Sequence, residues 1–528
     1  MTFDALLNLV SSGKSPRVCV DSRLLQDGDV FVAVAGLVYD GHDFIAQAIA
    51  KGAKYVVAEK HDLDVGHQAS SIKVVIVEDS AQAAALLAQA RAGNPASQLI
   101  NLAVTGTNGK TTVAYLIRSC IQTAGHKCGL IGTIIYDTAS STCQASLTTP
   151  DSLAIAEAQQ QMVKAGAKFM VIEASSHALS QNRLAGIEFK AAAFTNLTGD
   201  HLDYHKTKES YLAAKTKLFS ALSPDATAVL NKESPEAQHI AEKTKAKILW
   251  YAVDEPADIS AHIESMDING TTFALQYGHQ SSIVNTPLLG RHNVSNHLAA
   301  AGLCLAAGLD LEAIAAGLSA LQGVPGRLEK VGRVGFSPPS PSKENGGASP
   351  TLLIDYAHTD DALKNVLSTL KPLCKGRLIV VFGCGGDRDR TKRPRMARVV
   401  EQFADFVIVT SDNPRTERPQ DIINEIVAGF KNKTDIRTMD DGRWTMDDGR
   451  ATSDERRATS DERRATKIVE PDRRKAIELA IKTAGRDDIV LIAGKGHETY
   501  QIIGTQKFAF SDKAVAGEYF RNRIKGSK

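Results

Sequence analysis

The sequence has little of what several protein classes require. Its 62 Lys and Arg residues nearly balance 60 Asp and Glu residues, leaving a net charge of +2, so no broad basic field indicates a nucleic-acid partner. No apolar run approaches the ~18 residues that a membrane span needs. The N-terminus lacks the basic segment and apolar core of a secretory signal. We therefore expect a cytoplasmic protein without a membrane span.

Cysteines are also few, and none is spaced as in a Cys-x-x-Cys motif. Seven cysteines are scattered along 528 residues, and none stands in a Cys-x-x-Cys pair. This argues against a disulfide framework or a zinc site and favours reduced thiols. The remaining composition, 43% hydrophobic and 23% charged, is typical of a globular chain, here long enough for about three domains.

Apolar runs bounded by turn residues alternate with helical spacing along the chain, which predicts an α/β fold. Residues 1–97 are expected to form a small N-terminal α/β domain. Residues 98–330 would form a central domain with the main chemistry, and residues 331–528 a third α/β domain. Glycine and proline at 323–326 punctuate the second junction.

The stretch 104–112 carries the strongest chemical signal. An apolar run precedes it and helical spacing follows it, so strand, glycine-containing loop and helix come in succession. Gly106 and Gly109 let the backbone approach an anion, which the N–H groups of the helix start would face. Lys110 would serve the β- and γ-phosphates and Thr111 would serve Mg²⁺. The loop is shorter than the usual P-loop, and the alternative is an ordinary glycine-rich turn.

Polar residues recur where other predicted strands end. Glu173 follows the apolar run 168–172, His201 follows another run, and Asp355 and His358 follow a third. Taken alone, His201 would more often be a surface or core-edge residue. Because ligands gather at the carboxyl edge of an open parallel sheet, the repetition predicts one site, where a carboxylate can hold Mg²⁺.

Two basic residues permit two interpretations each. Lys215 lies in the amphipathic helix 209–219, where spacing alone favours a solvated or snorkelling lysine. The alternative is a buried lysine near metals, since lysine loses its charge readily when desolvated. Arg327, beside the Gly/Pro junction, either reaches phosphate across a cleft or is an ordinary surface residue.

Two segments have no predicted catalytic role. Residues 438–466 repeat with a period of seven but without apolar a/d pairs, so a coiled coil is not expected. Their mixed charge and few apolar residues predict a disordered insert. The Ser-, Pro-, Gly- and Lys-rich stretch 337–350 predicts a mobile loop.

Six motifs spread over nearly the whole chain are highly specific in combination. They are Thr-Gly-Thr-Asn-Gly-Lys-Thr-Thr (105–112), Glu-Ala-Ser-Ser-His-Ala-Leu (173–179), Asp-His-Leu-Asp-Tyr-His (200–205), Asp-Tyr-Ala-His-Thr (355–359), Asp-Asn-Pro-Arg (412–415) and Gly-Lys-Gly-His-Glu (494–498). Together they resemble the Mur ligase family of bacterial cell-wall synthesis. Asp360 departs from the proline that often follows Ala-His-Thr in that family.

The resemblance implies an N-terminal domain for UDP-sugar, a central P-loop-type ATPase domain and a Rossmann-like C-terminal domain for the incoming amino acid. It implies an ATP-dependent, amide-forming ligase of peptidoglycan synthesis, which serves cell shape and division in the bacterial cytoplasm and is a monomer. The branch it resembles adds meso-diaminopimelate to UDP-N-acetylmuramoyl-L-alanyl-D-glutamate through an acyl phosphate.

The resemblance also assigns residues to sites. The implied ATP-binding residues are Gly106, Thr107, Asn108, Gly109, Lys110, Thr111, Thr112, Asn293, Arg327, Asp355 and His358. Those for the UDP-muramoyl-dipeptide are Ser22, Leu37, Val38 and Tyr39 for its UDP part and Thr148, Thr149, Ser175, Gln181 and Arg183 for its muramoyl-peptide part. Those for diaminopimelate are Arg388, Asp412, Asn413, Pro414, Arg415, Gly494 and Glu498. The implied catalytic residues are Lys110, Glu173, His201 and Lys215.

The implied metal site takes Mg²⁺ on Thr111, Glu173, His201 and Lys215, with Lys215 carbamylated by CO₂ to an anionic N6-carboxylysine. A guanidinium at Arg415 would grip the extra carboxylate of diaminopimelate and repel a lysine side chain. The rivals are a lysine- or dipeptide-adding relative, a folylpolyglutamate synthase, and a nucleotide-dependent switch without turnover. The Arg415 motif and the long N-terminal domain speak against the ligase rivals. Three clusters of polar residues at the sheet edge are more than a nucleotide-dependent switch needs, which speaks against the switch.

Overall fold

A computed structural model describes residues 1–12, 16–36, 39–59, 72–199, 202–331, 350–433, 436–438 and 465–526. Three main sheets follow one another along the chain, and helices cover each of them. The predicted three-domain α/β architecture is therefore confirmed. The numerical domain limits stay predictions.

The first sheet is small and wholly parallel. Its strands, in sheet order, are β1 (Val18–Cys19), β2 (Val30–Val32), β3 (Tyr55–Ala58) and β4 (Lys73–Ile76). Helices α1 (Phe3–Ser11) and α3 (Ser80–Arg91) share an apolar core with one face, and α2 (Ile45–Ala50) packs in a second core. Asp79 caps α3 by accepting a hydrogen bond from the Gln82 N–H.

The central sheet has eleven strands. In chain order they are β5 (Ile100–Thr105), β6 (Cys128–Ile131), β7 (Ile135–Asp137), β8 (Thr142–Gln144), β9 (Phe169–Glu173), β10 (Phe189–Phe194), β11 (Thr227–Asn231), β12 (Lys247–Val253), β13 (Ile259–Asp267), β14 (Gly270–Tyr277) and β15 (Gln280–Thr286). Their order in the sheet is β15-β14-β13-β12-β11-β10-β5-β9-β6-β7-β8, and neighbouring strands from β13 to β6 are parallel.

Helices bury both faces of this sheet. They are α4 (Lys110–Thr123), α5 (Ser152–Lys164), α6 (Ser176–Ser180), α7 (Leu202–His205), α8 (Lys208–Ser220), α9 (Glu236–Lys243), α10 (Arg291–Ala306) and α11 (Leu311–Ala320). Along β5, Leu102 and Val104 join the core of α4, α10 and α11, whereas Ala103 joins the core of α5 and α8. Burial on both faces explains why β5 reads as a continuous apolar run.

The third sheet also contains mostly parallel strands. Its elements in chain order are β16 (Glu329–Val331), β17 (Thr351–Asp355), α12 (Asp360–Leu373), β18 (Leu378–Phe382), α13 (Lys392–Phe403), β19 (Phe406–Val409), α14 (Pro419–Val427), β20 (Ile436–Thr438), β21 (Thr466–Val469), α15 (Arg473–Thr483) and β22 (Ile489–Ala493). The strand order is β16-β17-β22-β18-β19-β21-β20, and among these described strands only β16 is antiparallel to its neighbour. A hairpin of β23 (Tyr500–Ile503) and β24 (Gln506–Ala509) precedes α16 (Asp512–Gly526).

The predicted bounds of the disordered insert, 438–466, need correction at both ends. Thr438 and Thr466 were expected in the disordered insert, but they belong to β20 and β21, which pair in parallel. The neighbouring Ile436 and Ile468 supply the β-branched character of these strands. Residues 439–464 of the insert and 337–349 of the predicted mobile loop lie outside the described residues.

Within the described ranges, no helix is both long and apolar enough to cross a membrane. All seven cysteines are free thiols.

We predict that His297 makes the central domain less stable in acid. The His297 ring is fully buried against Phe273, and its Nδ1 lies 2.6 Å from the Asn293 carbonyl oxygen. Burial lowers the pKa of His297 from 6.5 to about 4. The unfolded chain therefore binds a proton that the folded chain refuses, and stability is lost as the pH falls from 6.5 to 4.

The expected loss from His297 is about 3 kcal/mol across this window. Denaturant unfolding at several pH values should show a shallower pH slope for His297→Gln than for wild type. His279→Gln, at the exposed turn between β14 and β15, is the matched control and should keep the wild-type slope. Equal slopes for wild type and His297→Gln would contradict the prediction.

Candidate active site

The phosphate loop, residues 106–112, joins β5 to α4 in a conformation that requires glycine. Gly106 has a φ of 147° and Gly109 a φ of 93°. A Cβ atom at Gly106 would lie 1.9 Å from Thr195 Oγ1, and one at Gly109 would lie 2.3 Å from Asn296 Oδ1. Backbone conformation and crowding therefore both exclude a side chain at these two positions.

The segment after β10 holds the phosphate loop in place. Asn196 Oδ1 accepts a hydrogen bond of 2.9 Å from the Asn108 N–H, and Thr195 Oγ1 donates one of 2.6 Å to the Asn108 carbonyl. The Lys110 ammonium donates to two carbonyl groups of the loop, each at 2.8 Å. The lysine charge thus lies against the turn that was predicted to receive phosphates.

A buried carboxylate stands beside the start of α4. Glu173, at the end of β9, is fully buried and accepts a 2.9 Å hydrogen bond from Thr111 Oγ1. Thr133 supplies two more, from its N–H at 2.8 Å and its hydroxyl at 2.9 Å. These donors compensate the carboxylate for the loss of water. The structure therefore brings together the two predicted metal ligands Thr111 and Glu173.

The other implied metal ligands differ in what the structure describes. His201 lies outside the described residues. Lys215 is only 1% exposed, so the solvated interpretation from spacing is wrong. Its Nζ donates to the Gly106 carbonyl at 2.8 Å and lies 4.4 Å from the centroid of the Tyr211 ring. Among the described residues, no group of three or more His, Cys, Asp and Glu side chains is arranged to hold a metal ion.

A cavity of about 350 Å³ opens beside Lys110 and Lys215. It is lined by Lys110, Leu147, Thr148, Thr149, Ser175, Ser176, His177, Gln181, Arg183, Tyr211 and Lys215. All five residues that the resemblance assigned to the peptide part of the substrate are in this set. The fold therefore brings these five residues and Lys110 of the phosphate loop to one cavity, although Lys110 is far from them in the sequence.

Hydrogen bonds pre-position the polar wall of the cavity. Arg183 donates to Gln181 Oε1 through Nε and Nη2 and to the Thr149 carbonyl at 2.8 Å. Burial lowers the pKa of this guanidinium from its ordinary value. Thr149 Oγ1 donates to the Glu173 carbonyl at 2.6 Å and lies 3.0 Å from Ser175 Oγ. The wall thus presents the Arg183 guanidinium, which is fixed by hydrogen bonds, together with hydroxyl groups. This combination suits an anionic ligand.

The junction between the central and C-terminal domains contributes to the side of the site near Thr111. Arg327 Nη2 donates to Thr111 Oγ1 at 3.3 Å, and its guanidinium lies 4.6 Å from the Tyr356 ring centroid. Arg327 is therefore not an ordinary surface residue. Asp355 accepts bonds from the N–H groups of Leu328 and Ala357, each at 2.7 Å, while burial raises its pKa. Asp355 thus fixes the backbone just beyond Arg327.

The remaining residues predicted to bind the nucleotide lie in three places: behind the phosphate loop, within it, and after β17. Asn293 is buried behind the phosphate loop, where it accepts a 3.0 Å bond from Asn296, the residue that crowds Gly109. Thr107 Oγ1 lies 3.2 Å from the Tyr211 hydroxyl, and Thr112 is buried in α4. His358 follows β17, where its Nδ1 lies 2.9 Å from the Tyr356 carbonyl oxygen.

The predicted acceptor residues form a second charged cluster. Lys495 Nζ lies 3.0 Å from Glu498 Oε2, 2.9 Å from Asn413 Oδ1 and 3.5 Å from Asp412 Oδ1. Asn413 also donates to Glu498 at 2.9 Å. A Cβ atom at Gly494 would lie 2.8 Å from Asp412 Oδ2. The motifs 412–415 and 494–498 are therefore interlocked, although 78 residues of sequence separate them.

Arg415 follows Pro414 in a left-handed conformation with a φ of 52°. The β23–β24 hairpin fixes this backbone, because Arg415 N–H donates to the Ile502 carbonyl and its own carbonyl accepts from Gly504 N–H. Burial and the nearby Arg388 guanidinium lower the pKa of Arg415. Two neighbouring guanidinium groups are a combination that suits a carboxylate ligand.

Thr133 and His497 connect the two clusters. Thr133 donates two hydrogen bonds to Glu173, and its backbone lies near enough to His497 to affect the pKa of that imidazole. Burial and the Arg327 charge lower the pKa of His497 to about 4, and the Thr133 backbone opposes this shift. The phosphate loop and the acceptor motifs therefore belong to one connected site.

The described residues predicted to bind UDP, Ser22 and Tyr39, are not among those that line this cavity. Ser22 is buried, and its hydroxyl donates to Gln47 Oε1 at 2.7 Å. Tyr39 is 72% exposed and its ring lies 6.3 Å from that of Phe44. Leu37 and Val38 lie outside the described residues.

Sequence reasoning assigned no role to several residues that shape the site. Thr133 follows a turn after β6 and carried no motif signal. Asp361 was also missed, yet its carboxylate accepts a 3.0 Å bond from Asn108 Nδ2 across the domain boundary. Lys495 stood inside the motif 494–498, and only that position hinted at its importance.

Comparisons with known proteins agree with this geometry. The sequence model of the Mur ligase family, catalytic domain matches residues 17–94, that of the Mur ligase middle domain matches 104–304, and that of the Mur ligase, glutamate ligase domain matches 342–496. The chain belongs to the Mur ligase family. It is accordingly an ATP-dependent ligase that forms amide bonds.

Individual relatives match nearly the whole chain. The UDP-N-acetylmuramoyl-L-alanyl-D-glutamate--2,6-diaminopimelate ligase of Geobacillus kaustophilus is 41% identical over 510 residues, covering 96% of this chain and 94% of that protein. A solved structure of a ligase with the same name is 32% identical, with a TM-score of 0.62 and coverage of 97% and 96%. Mycobacterium tuberculosis folylpolyglutamate synthase complexed with ADP, at 18% identity, a TM-score of 0.59 and coverage of 83% and 93%, shares the fold alone.

We predict that Gly106→Ala abolishes tight ATP binding. The added methyl would meet Thr195 Oγ1 at 1.9 Å and would force the phosphate loop out of shape. Calorimetry should show at least ~10-fold weaker binding, since the backbone N–H groups lose their alignment on the phosphates. Gly93→Ala is the matched control, because Gly93 also has a positive φ but has nothing within 4 Å of its added Cβ. It should lose stability and keep ATP affinity; equal affinity in all three proteins would refute the prediction.

Proposed function

We propose that this ligase adds meso-diaminopimelate to UDP-N-acetylmuramoyl-L-alanyl-D-glutamate at the expense of ATP. The observation that carries the proposal is the shared cavity, in which Lys110 and Lys215 face Ser175 and Arg183. A phosphate donor and a carboxylate acceptor can meet there. The names of the relatives at 41% and 32% identity support the same substrates.

The chemistry proceeds in two steps. The D-glutamyl γ-carboxylate attacks the γ-phosphorus of ATP, the bond to the β-phosphate oxygen breaks, and an acyl phosphate and ADP form. The neutral amine of diaminopimelate then attacks the acyl carbon, the nitrogen loses one proton to solvent, and the tetrahedral intermediate expels phosphate to leave the amide. Phosphorylation is needed because a free carboxylate is a poor acyl donor.

The chain's own residues bind and orient the reactants. Lys110 stabilises negative charge on the transferring phosphoryl group. Arg183, held by Gln181 and Thr149, is assigned to the anionic peptide substrate. Asn293, Arg327, Asp355 and His358 are assigned to the nucleotide, and Ser22, Leu37, Val38 and Tyr39 to the UDP group.

The residues beside the phosphate loop fit Mg²⁺. The Thr111 hydroxyl and the Glu173 carboxylate are oxygen ligands 2.9 Å apart, a donor type that Mg²⁺ prefers. Glu173, Thr111, His201 and a carbamylated Lys215 are proposed to hold the metal, which when bound would neutralise phosphate charge. Burial of Lys215 at 1% exposure favours the neutral amine that CO₂ requires.

The acceptor cluster suits the distal end of meso-diaminopimelate. Arg388 and Arg415 are assigned to its carboxylate, and Asp412 and Glu498 to its ammonium group. Asn413, Pro414 and Gly494 shape the backbone around these charges.

Exclusion of water by domain contacts such as Asn108 to Asp361 would protect the acyl phosphate from hydrolysis. We further propose a monomer that acts in the bacterial cytoplasm.

The test is coupled ADP release by purified enzyme supplied with the UDP-muramoyl-dipeptide and a panel of diaminopimelate isomers, lysine and ornithine. Meso-diaminopimelate should be preferred by at least ~10²-fold in kcat/KM over lysine, because a missing carboxylate leaves two guanidinium groups unpaired. Arg415→Ala should remove most of this preference, whereas Arg398→Ala, at an exposed position of α13, should keep it. ADP release that ignores every acceptor would reject the proposal.

We predict that Lys215 carries a carbamate. Carbon NMR of enzyme equilibrated with ¹³C-bicarbonate should show a carbamate signal that is absent in Lys215→Ala. The variant should also lose at least ~10²-fold in kcat, since it removes an electrostatic group of the site. Lys217→Ala, on the exposed side of the same helix α8, should retain both the signal and the activity. A wild-type spectrum without the signal would exclude the modification.

A further inference from the structure

Arg393, near the start of α13, is a buried guanidinium beside the acceptor residues. It is only 1% exposed, although an arginine is rarely buried unless its charge is paired. Its Nη1 and Nη2 donate to the two oxygens of Glu417 at 2.9 and 2.7 Å, and Nη1 also donates to Glu425 Oε2 at 2.8 Å. The two parallel bonds fix the orientation of the Glu417 carboxylate.

Glu417 in turn holds the backbone of the loop that carries Arg388. Its Oε1 accepts a 2.6 Å hydrogen bond from the Asp387 N–H, and Asp387 has a left-handed φ of 52°. Arg393 Nη2 also donates to the Gly385 carbonyl at 3.3 Å. The bonds from Arg393 lower the pKa of Glu417 to about 2, so this carboxylate is ionised at neutral pH. Arg393 therefore fixes the Arg388 loop both directly and through Glu417.

The Arg388 loop also lies directly against the motif 412–415. The Gly386 N–H donates to the Asn413 carbonyl at 2.9 Å, and Arg415 Nη1 donates to the Gly386 carbonyl at 2.6 Å. A Cβ atom at Gly386 would lie 1.9 Å from the Pro414 carbonyl oxygen. A shift of one loop would therefore displace the other.

Glu417 closes this arrangement on the side of Arg415. It follows Arg415 by two residues, and its own N–H donates to the Pro414 carbonyl at 3.1 Å. The residue that Arg393 grips thus belongs to the turn of one arginine, while its carboxylate holds the backbone next to the other arginine.

We propose that Arg393 is a positioning residue, which keeps the loops of Arg388 and Arg415 in register so that both guanidinium groups can serve one carboxylate. This inference rests on the proposed function, which assigns both arginines to the distal carboxylate of diaminopimelate. The Arg393 guanidinium is itself engaged by Glu417, Glu425 and Gly385, so it acts through the loops. Free lysine has no distal carboxylate and does not depend on this register.

The test compares kcat/KM for meso-diaminopimelate and for free lysine in Arg393→Lys. The variant keeps the positive charge, but a single ammonium cannot reproduce the paired bonds to both oxygens of Glu417. We expect kcat/KM for meso-diaminopimelate to fall about tenfold, mainly through a higher KM for this acceptor. The constants for free lysine and KM for ATP should stay unchanged, so the preference for diaminopimelate should narrow by the same factor.

Arg390→Lys is the matched control. Arg390 shares the Glu425 carboxylate with Arg393, but its side chain is 62% exposed. It should keep the wild-type constants for both acceptors. If Arg393→Lys leaves the preference at its wild-type value, whether both acceptors fall equally or neither falls, Arg393 is merely structural and the inference is overturned.

A second measurement asks whether Arg393 acts through the two arginines. In an enzyme that already carries Arg388→Ala and Arg415→Ala, Arg393→Lys should cause no further loss of kcat/KM for diaminopimelate, because the effects of coupled groups are not additive. The same loss as in the wild-type background would overturn the inference.

Glu417→Gln keeps the inference testable if Arg393→Lys does not fold. Glutamine has the shape of glutamate but only one acceptor oxygen, so the preference for diaminopimelate should again narrow, and an unchanged preference would overturn the inference. A wild type that couples no diaminopimelate at all would instead defeat the proposed function, so the two failures are distinguishable.

Discussion

The close approach of the phosphate loop to the segment after β10 is the constraint on which the rest of the site depends. Gly106 leaves no room for a Cβ beside Thr195, and the Asn108 backbone is held on both sides by Thr195 and Asn196. This contact directs the start of α4 toward Glu173 and the Lys215 ammonium toward the Gly106 carbonyl. A shift of the loop would therefore displace the lysine, the carboxylate and the helix start together.

The acceptor cluster depends on the same frame through a short connection. Glu173 accepts two hydrogen bonds from Thr133, and the Thr133 backbone also lies near His497, which stands between Lys495 and Glu498 in the sequence. Arg327, beside Thr111, stacks on Tyr356, whose ring also contacts His497. Two domains thus share one polar network, in which phosphoryl transfer and amine recognition can be coordinated.

Much of the fold was predictable from local pattern. The observed strand Phe169–Glu173 matches the predicted apolar run 168–172, because parallel strands buried on both faces are continuously apolar. Boundaries beside functional segments were less predictable. Helix α4 begins at Lys110, three residues before the periodic apolar residues, since the first turn serves the phosphate loop and not the core.

The sequence by itself determined the motifs, their order, the α/β class and the residues able to bind phosphate, carboxylate and ammonium. Those properties follow from residue chemistry and local periodicity. Only the tertiary structure decided that Lys215 is buried, that Thr133 and Asp361 bind groups of the site, and that Lys495 lies between two carboxylates. Burial and charge pairing arise between residues distant in sequence, and no local pattern encodes which of them meet.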